Sequence, residues 1–169
     1  MVVILRIWLQ AARADFYNPF SQFIVKATQP VVGPLRRVIP SIGSIDLATI
    51  VFAYVLCVLK FMALVLIASS GSVSFSADFL FLGLLSLIKA AGGLLFWVLL
   101  IRAILSWVSQ GRSPIEYVFH QLTEPMLAPI RRIIPVMGGF DLSVLVLFIV
   151  LQFANFLMGD VIGPIWYQL

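Results

Sequence analysis

One phrase occurs twice in this chain, and a long apolar run follows each copy. In the first copy TQPVVGPLRRVIPSIGSIDL covers residues 28–47, and in the second TEPMLAPIRRIIPVMGGFDL covers residues 123–142. Three prolines, an arginine pair, a glycine and an aspartate recur in step. Self-similarity of this kind marks a duplicated structural unit. We therefore predict one unit over residues 1–70 and a second over residues 71–169.

The composition places both units in a membrane. Hydrophobic residues make up 62% of the chain and charged residues only 11%, which is far more apolar than an average soluble domain. Three apolar runs, at 47–68, 79–108 and 142–158, have about the length that crosses a bilayer, roughly 20 residues. The sequence therefore predicts an all-α membrane protein with three full spans.

The positive residues indicate how these spans are oriented. They concentrate in residues 13–43, with Arg13, Lys26, Arg36 and Arg37, and in residues 111–139, with Arg112, Arg131 and Arg132. Residues 69–78 and the C-terminal tail hold no Lys or Arg, so the positive-inside rule puts both repeat loops in the cytoplasm and the C-terminus outside. An even number of crossings separates the two copies, which makes the repeat a parallel one. Charges placed in this way encode topology, and no nucleic acid contact is expected.

The first span is expected to be truncated. Arg6 aligns with Arg102, but only residues 1–5 precede Arg6, whereas a long apolar stretch precedes Arg102. A helix over residues 1–14 would be about 21 Å long at 1.5 Å per residue, which is shorter than a hydrocarbon core of ~30 Å.

Each repeat loop is predicted to begin with an amphipathic helix. Asn18 and Ser113 are placed to cap these helices, and a proline follows each cap. The predicted apolar stripes are Phe20, Phe23, Ile24 and Ala27 in the first copy, and Ile115, Val118, Phe119 and Leu122 in the second. Such a helix lies in the membrane interface or packs on its own protein. Pro30 and Pro125 are expected to end the helices, and residues 34–40 and 129–135 to form proline-bracketed turns that hold the arginine pairs.

Three interpretations of the arginine pairs remain open. Arg36, Arg37, Arg131 and Arg132 set the topology and contact lipid headgroups, or they form ion pairs, Arg37 with Asp46 and Arg132 with Asp141, or they form a dedicated site for an anion or a partner protein. Asp46 and Asp141 each precede a span by one residue, where an aspartate caps a helix.

Polar residues inside the spans are the other candidates. Lys60 aligns with Asn155, and Cys57 with Gln152; Lys89 lies within the second span. Intramembrane ionisable residues are candidates for function, although both lysines could instead extend to the outer interface. The single cysteine, Cys57, and the single histidine, His120, do not suffice for a metal or haem site within one chain. Because no catalytic constellation appears, neither an enzyme nor a cofactor is expected.

The motifs resemble a known family. The segments NPF at 18–20 and PLRRVIP at 34–40, with Gly43, Asp46 and their second-copy equivalents, look like the YggT family of bacterial inner-membrane proteins, and SWVSQGRSP at 106–114 is similar to its two-repeat proteobacterial form. The resemblance implies a multi-spanning inner-membrane protein without established chemistry. It also implies links to osmotic adaptation and ion homeostasis, and, in plastid and cyanobacterial relatives, to division, nucleoid distribution and cytochrome assembly.

Two functions from different classes follow as hypotheses. The first is a non-enzymatic factor for envelope or osmotic homeostasis or for membrane assembly. Its cytoplasmic helices and arginine pairs would contact the anionic inner leaflet, another membrane protein or a second copy of the chain. The second is a small ion channel or transport component with a polar path between the repeats, lined by Lys60, Lys89, Gln152 and Asn155. A cavity lined by these four residues favours transport, and tight packing favours the first hypothesis.

Overall fold

The computed structural model describes residues 1–41, 46–68, 77–108, 113–133 and 142–169, and every regular element in these ranges is a helix. The helices are α1 Val2–Ala11, α2 Pro19–Leu35, α3 Leu47–Ala68, α4 Asp78–Val108, α5 Pro114–Ile133, α6 Leu142–Ile162 and α7 Ile165–Gln168. The all-α prediction is therefore confirmed for the described part of the chain.

Three of these helices are long and apolar enough to cross a membrane. They cover Leu47–Ile67, Asp78–Leu105 and Leu142–Ile162, which are the three runs predicted from the sequence. Helix α3 begins and ends at the predicted residues. Helix α6 continues through Gly159 and Asp160 to Ile162, beyond the apolar run that ends at Met158. Most of the surface of these helices faces outward, as lipid contact requires.

Helix α1 ends in a tight reversal that leads to α2. Arg13 has φ 50°, the left-handed conformation that commonly follows a helix. The backbone N–H of Ala14 donates to the carbonyl of Leu9 at 2.9 Å, and that of Arg13 donates to Gln10 at 3.1 Å, which are the two hydrogen bonds of a Schellman motif. The reversal lets α2 fold back beside α1, starting at Asn18, whose side chain accepts a hydrogen bond from the N–H of Phe20 at 3.0 Å.

The prediction that Pro30 and Pro125 end the amphipathic helices is wrong. Helix α2 runs through Pro30 and Pro34, and α5 runs through Pro125 and Pro129. An internal proline removes one backbone hydrogen bond and costs about 3 kcal/mol in an isolated helix. Here the flanking turns are held by tertiary packing, since Thr28 and Val32 on either side of Pro30 are buried, as are the equivalent Thr123 and Leu127.

The buried faces of α2 and α5 match the predicted apolar stripes only in part. Helix α2 buries Ser21, Ile24, Thr28 and Val32, whereas the predicted Phe23 is 66% exposed. Helix α5 buries the predicted Val118, Phe119 and Leu122, together with Thr123 and Leu127. Both helices thus pack on their own protein, and each places a hydroxyl-bearing residue in the buried face that hydrophobicity alone did not select.

The helices of the first half pair in the same way as those of the second. Helices α1, α2 and α3 contact one another, as do α4, α5 and α6, and α3 also packs along α4. The largest core cluster joins the two halves where α1, α2, α4 and α5 meet, with Leu9 and Leu122 fully buried. The rings of Phe20 and Phe119 lie 5.5 Å apart there, and the Asn18 side-chain amide donates to the carbonyl of Pro114 at 2.7 Å.

The C-terminal halves of α3 and α6 differ in what covers them. Val58 and Phe61 of α3 are buried against Phe79 of α4. Their aligned counterparts in α6, Phe153 and Phe156, are exposed. Helix α7 follows a turn at Gly163, where φ is 85°, and packs back on α6.

Candidate functional site

A buried arginine connects α1 to α2, and a second one connects α4 to α5. Arg6 of α1 is 3% exposed and donates to the Thr28 hydroxyl at 2.6 Å, the Gln29 side-chain oxygen at 2.9 Å and the carbonyl of Val25 at 3.2 Å. The Thr28 hydroxyl in turn donates to the carbonyl of Ile24 at 2.7 Å. A buried cation is costly unless it is hydrogen-bonded, and this network supplies the acceptors.

The same arrangement recurs in the second half. Arg102 of α4 is 7% exposed, donates to the Thr123 hydroxyl and lies 3.6 Å from the Glu124 carboxylate. The Thr123 hydroxyl donates to the carbonyl of Phe119 at 2.8 Å. Sequence analysis aligned Arg6 with Arg102 but did not assign their role. The signal for that role was present, since a threonine opens both copies of the repeated phrase.

Asp46 forms an ion pair with Arg36; the pair of Arg37 with Asp46, one of the three interpretations left open above, is not formed. The side chain of Asp46 is fully buried, and Arg36 donates to its Oδ2 from Nη2 at 2.5 Å and from Nε at 2.9 Å. Thr49 also donates to this carboxylate, from its hydroxyl at 2.5 Å and its backbone N–H at 3.4 Å, so Asp46 caps α3. The correction has a geometric reason: Arg36 follows α2 directly and also reaches Gln10 of α1 at 3.0 Å, whereas Arg37 is exposed.

These contacts determine the charge state of Asp46. Burial by itself raises the pKa of the Asp46 carboxyl, but hydrogen bonds from Arg36 and Thr49 and the positive charge of Arg36 outweigh burial. Together they hold that pKa below its ordinary value. The group is therefore an anion whenever the ion pair is formed.

The second arginine pair has a different partner. Arg131 donates to both carboxylate oxygens of Glu124 at 3.0 Å, and His120 Nε2 lies 3.4 Å from the same carboxylate. Asp141, and with it the predicted pair with Arg132, lies outside the described residues. Arg132 is exposed in the last turn of α5. In each half, one arginine is bound by its own chain and the next one faces outward.

The four polar residues predicted inside the spans line one cavity. The cavity has a volume of about 650 Å³ and is walled by α3, α4, α6 and α7. Lys60 comes from α3, Lys89 from α4, and Gln152 and Asn155 from α6; Cys57 also lines it. Apolar walls are provided by residues such as Phe96, Trp97 and Leu151, and the described residues that line the cavity include no Asp or Glu.

Helix α7 covers part of this cavity and binds both lysines. Lys89 Nζ donates to the carbonyl of Trp166 at 2.5 Å, and Lys60 Nζ to the backbone oxygen of Leu169 at 2.7 Å. The indole N–H of Trp166 donates to the Asn155 side-chain oxygen at 2.9 Å. Trp166 is 3% exposed, and the Lys89 ammonium lies 5.4 Å from its ring centroid. Sequence analysis did not predict α7; the GP pair at 163–164 was the signal for a turn there.

A comparison with models of protein families identifies the family of this chain. The family model described as CCB3/YggT matches residues 1–67 and 81–162. The chain belongs to the CCB3/YggT family.

Relatives of this CCB3/YggT protein occur in several bacteria. A Vibrio alginolyticus protein from the proC 3′ region is 90% identical over all of this chain and 91% of its own length. The YggT protein of Escherichia coli K12 is 53% identical over 96% of this chain and 84% of its own length. A Haemophilus influenzae protein is 42% identical over 98% of this chain and 88% of its own length. No solved structure matches the chain.

The geometry therefore separates two groups of candidate residues in this CCB3/YggT protein. Lys60, Lys89, Gln152 and Asn155 come together in a single cavity. The arginines do not form one site, because Arg36 and Arg131 are bound within their own halves. Within the described ranges, no group of three or more His, Cys, Asp or Glu side chains is placed to hold a metal ion.

Proposed function

We propose that this CCB3/YggT protein is a non-enzymatic transport component of the bacterial inner membrane and that a small solute binds in the cavity between α3, α4 and α6. One observation carries the proposal: polar residues from three helices and both halves of the chain line the same cavity. Polar and ionisable groups are expensive within a membrane and usually mark a pathway or a binding site. This placement favours the transport hypothesis over tight packing.

The depth of the cavity also supports transport. At 1.5 Å per residue, Lys60, Lys89 and Asn155 lie ~17–20 Å from the first residues of α3, α4 and α6. These depths are near the middle of a hydrocarbon core of ~30 Å. Membrane transporters built from repeats bind their substrates near the bilayer midplane, at the repeat interface.

We infer that the two halves are a tandem parallel repeat with both repeat loops in the cytoplasm. The matching helix contacts in the two halves support the repeat, as do the equivalent Arg6–Thr28 and Arg102–Thr123 hydrogen bonds. The family model also matches in two separate stretches. The concentration of Lys and Arg in the two loops supports the orientation, which places α7 outside the cytoplasm.

Flux through purified protein tests the transport proposal. Proteoliposomes that contain the wild-type chain should dissipate a gradient of potassium chloride faster than empty vesicles, as measured with ion-selective electrodes. Lys60→Met and Asn155→Leu should each change the flux, because both side chains line the cavity. Lys26→Met is the matched control, since Lys26 is an exposed lysine of α2 and does not line the cavity. Absence of flux in correctly inserted protein would refute conduction of potassium or chloride by the protein.

A second role is supported by the exposed arginines. Arg37 and Arg132 face outward in both halves, and α2 also exposes Phe23. We propose that these residues attach the cytoplasmic face to anionic headgroups of the inner leaflet or to another membrane protein, in support of envelope or osmotic homeostasis. A positive charge near an anionic leaflet contributes about 1 kcal/mol.

Lipid co-purification tests this second role. The double variant Arg37→Gln/Arg132→Gln should retain less phosphatidylglycerol relative to phosphatidylethanolamine than the wild type does, as measured by mass spectrometry of the extracted lipids. Arg13→Gln is a control, because it removes a positive charge at the end of α1 instead of in the repeated phrase. Equal phosphatidylglycerol retention in all three proteins would argue against headgroup contact by the arginine pairs.

A further inference from the structure

We propose that the cavity is a binding site for a small phosphate-bearing anion and that backbone oxygens of residues 163–169 occupy the anion's position in this structure. The inference rests on the proposed role of the cavity and adds the class of its ligand. Its observations are the charges that line the cavity and the atoms that α7 brings to them.

The charged side chains that line the cavity have one sign. Lys60 and Lys89 contribute two ammonium groups, and no Asp or Glu is among the described lining residues. A charge removed from water needs an opposite charge or a complete set of hydrogen bonds. The neutral carbonyl oxygen of Trp166 supplies a hydrogen bond to Lys89 but leaves the formal charge of that ammonium group uncompensated. An anion would supply both, so the electrostatics of the cavity favour a negatively charged ligand.

The contacts made by α7 show where an anion would bind. Both lysines donate to backbone oxygens of this segment, Lys89 to Trp166 at 2.5 Å and Lys60 to Leu169 at 2.7 Å. Two ammonium groups are therefore already aimed at oxygen acceptors on one side of the cavity. The oxygens of a phosphate group are also acceptors, and a hydrogen bond between two ionised groups is stronger than one to a neutral carbonyl.

The remaining walls suit a small ligand that is held by few polar groups. Gln152 and Asn155 add side-chain amides, which donate as well as accept hydrogen bonds. A volume of about 650 Å³ lies within the range of small-molecule sites, about 300–1,000 Å³. The phosphate group could belong to a free inorganic anion or to a lipid headgroup, and the experiment separates these sources.

Equilibrium binding of radiolabelled inorganic phosphate tests the inference. The full chain is reconstituted in vesicles of phosphatidylcholine alone, so that no anionic lipid competes. Wild-type protein should bind phosphate saturably, and Lys60→Gln and Lys89→Gln should each weaken binding about tenfold or more, since a hydrogen bond to a charged group contributes about 1.5–3 kcal/mol. Lys26→Gln, the matched control on α2, should bind as the wild type does.

Further measurements identify the source of the ligand and check that each variant is folded. Lys89→Arg keeps the positive charge and should restore phosphate binding relative to Lys89→Gln, and a monodisperse elution profile in detergent shows that each variant is folded. If wild-type protein binds no phosphate but binds a spin-labelled phosphatidylglycerol, and this binding needs both lysines, the anion is a lipid headgroup.

The outcomes also separate this inference from the transport proposal. Phosphate binding that needs both lysines, without potassium or chloride flux, would support the anion site and remove a role in potassium chloride transport. Ion flux that selects potassium and is unchanged by the lysine variants would support transport but overturn the anion site. Binding of neither phosphate nor phosphatidylglycerol by wild-type protein, or equal binding by the lysine variants, would also overturn it.

Discussion

Replacing Asp46 by Asn should destabilise the junction between α2 and α3. The substitution keeps the shape of the side chain and its capacity to cap α3, because asparagine is also a good helix cap. It removes the negative charge that accepts both hydrogen bonds from Arg36. The variant therefore isolates the ion pair from the cap.

The size of the effect follows from the burial of the two partners. Breaking a fully buried pair costs about 3–5 kcal/mol, whereas exposed pairs contribute about 0–1 kcal/mol. Asp46 is fully buried, but the Arg36 side chain is 37% exposed, so water partly screens the interaction. We expect a loss of about 2 kcal/mol in the free energy of unfolding, between these limits.

Denaturation in mixed micelles measures this loss. The unfolding of wild-type protein and of Asp46→Asn is followed by circular dichroism as the fraction of dodecyl sulfate rises. Arg37→Gln is the matched control and should change stability by less than about 0.5 kcal/mol, as most surface substitutions do. In a double-mutant cycle, Arg36→Gln should add little to Asp46→Asn. Equal losses for Asp46→Asn and Arg37→Gln, or strictly additive losses for Arg36→Gln and Asp46→Asn, would refute the assigned pair.

Three other predictions use the same contacts. Because the pKa of Asp46 is lowered on folding, its ion pair stabilises the protein above the ordinary pKa of 3.8. The stability difference between wild type and Asp46→Asn should begin to shrink below that value and vanish as pH falls through the lower pKa of the folded state; a difference that does not shrink in acid contradicts this. Thr28→Val and Thr123→Val should each lower stability by about 1–3 kcal/mol in the same micelle assay, because a buried arginine loses an acceptor; unchanged stability would show that the hydrogen bonds from Arg6 and Arg102 to these threonines do not stabilise the protein. Trp166→Ala should open the cavity and speed labelling of Cys57, the only cysteine, by a water-soluble maleimide; an unchanged labelling rate would show that α7 does not limit access.

The helices that cross the membrane were predictable because their signal is local. An apolar run long enough to span a bilayer has few alternatives to a helix, since every backbone polar group must be bonded within its own segment. The bounds of α3 therefore agree with the sequence prediction, and α4 begins at Asp78, one residue earlier than predicted. The candidate cavity was also partly predictable, because Lys60 and Asn155 align through the repeat.

Helices α2 and α5 show where local rules were insufficient. A proline at position 30 predicts the end of a helix, but buried residues on both sides of it hold the helix together. The choice between Arg36 and Arg37 as the partner of Asp46 depends on how the chain leaves α2, which the repeated phrase does not specify. For α7 the sequence indicates only a turn, and the position of this helix over the cavity depends on the contacts that residues 163–169 make with Lys60, Lys89 and Asn155.

The sequence alone predicted a helical membrane protein made of two similar units, because composition, run length and an internal repeat are properties of the linear chain. The tertiary structure decided which polar groups meet. Whether an arginine is bound or exposed, and whether a lysine lines a cavity, depends on atoms that approach within about 3 Å from distant parts of the chain. Such contacts are set by the packing of one helix on another, and no periodicity within a single helix encodes them.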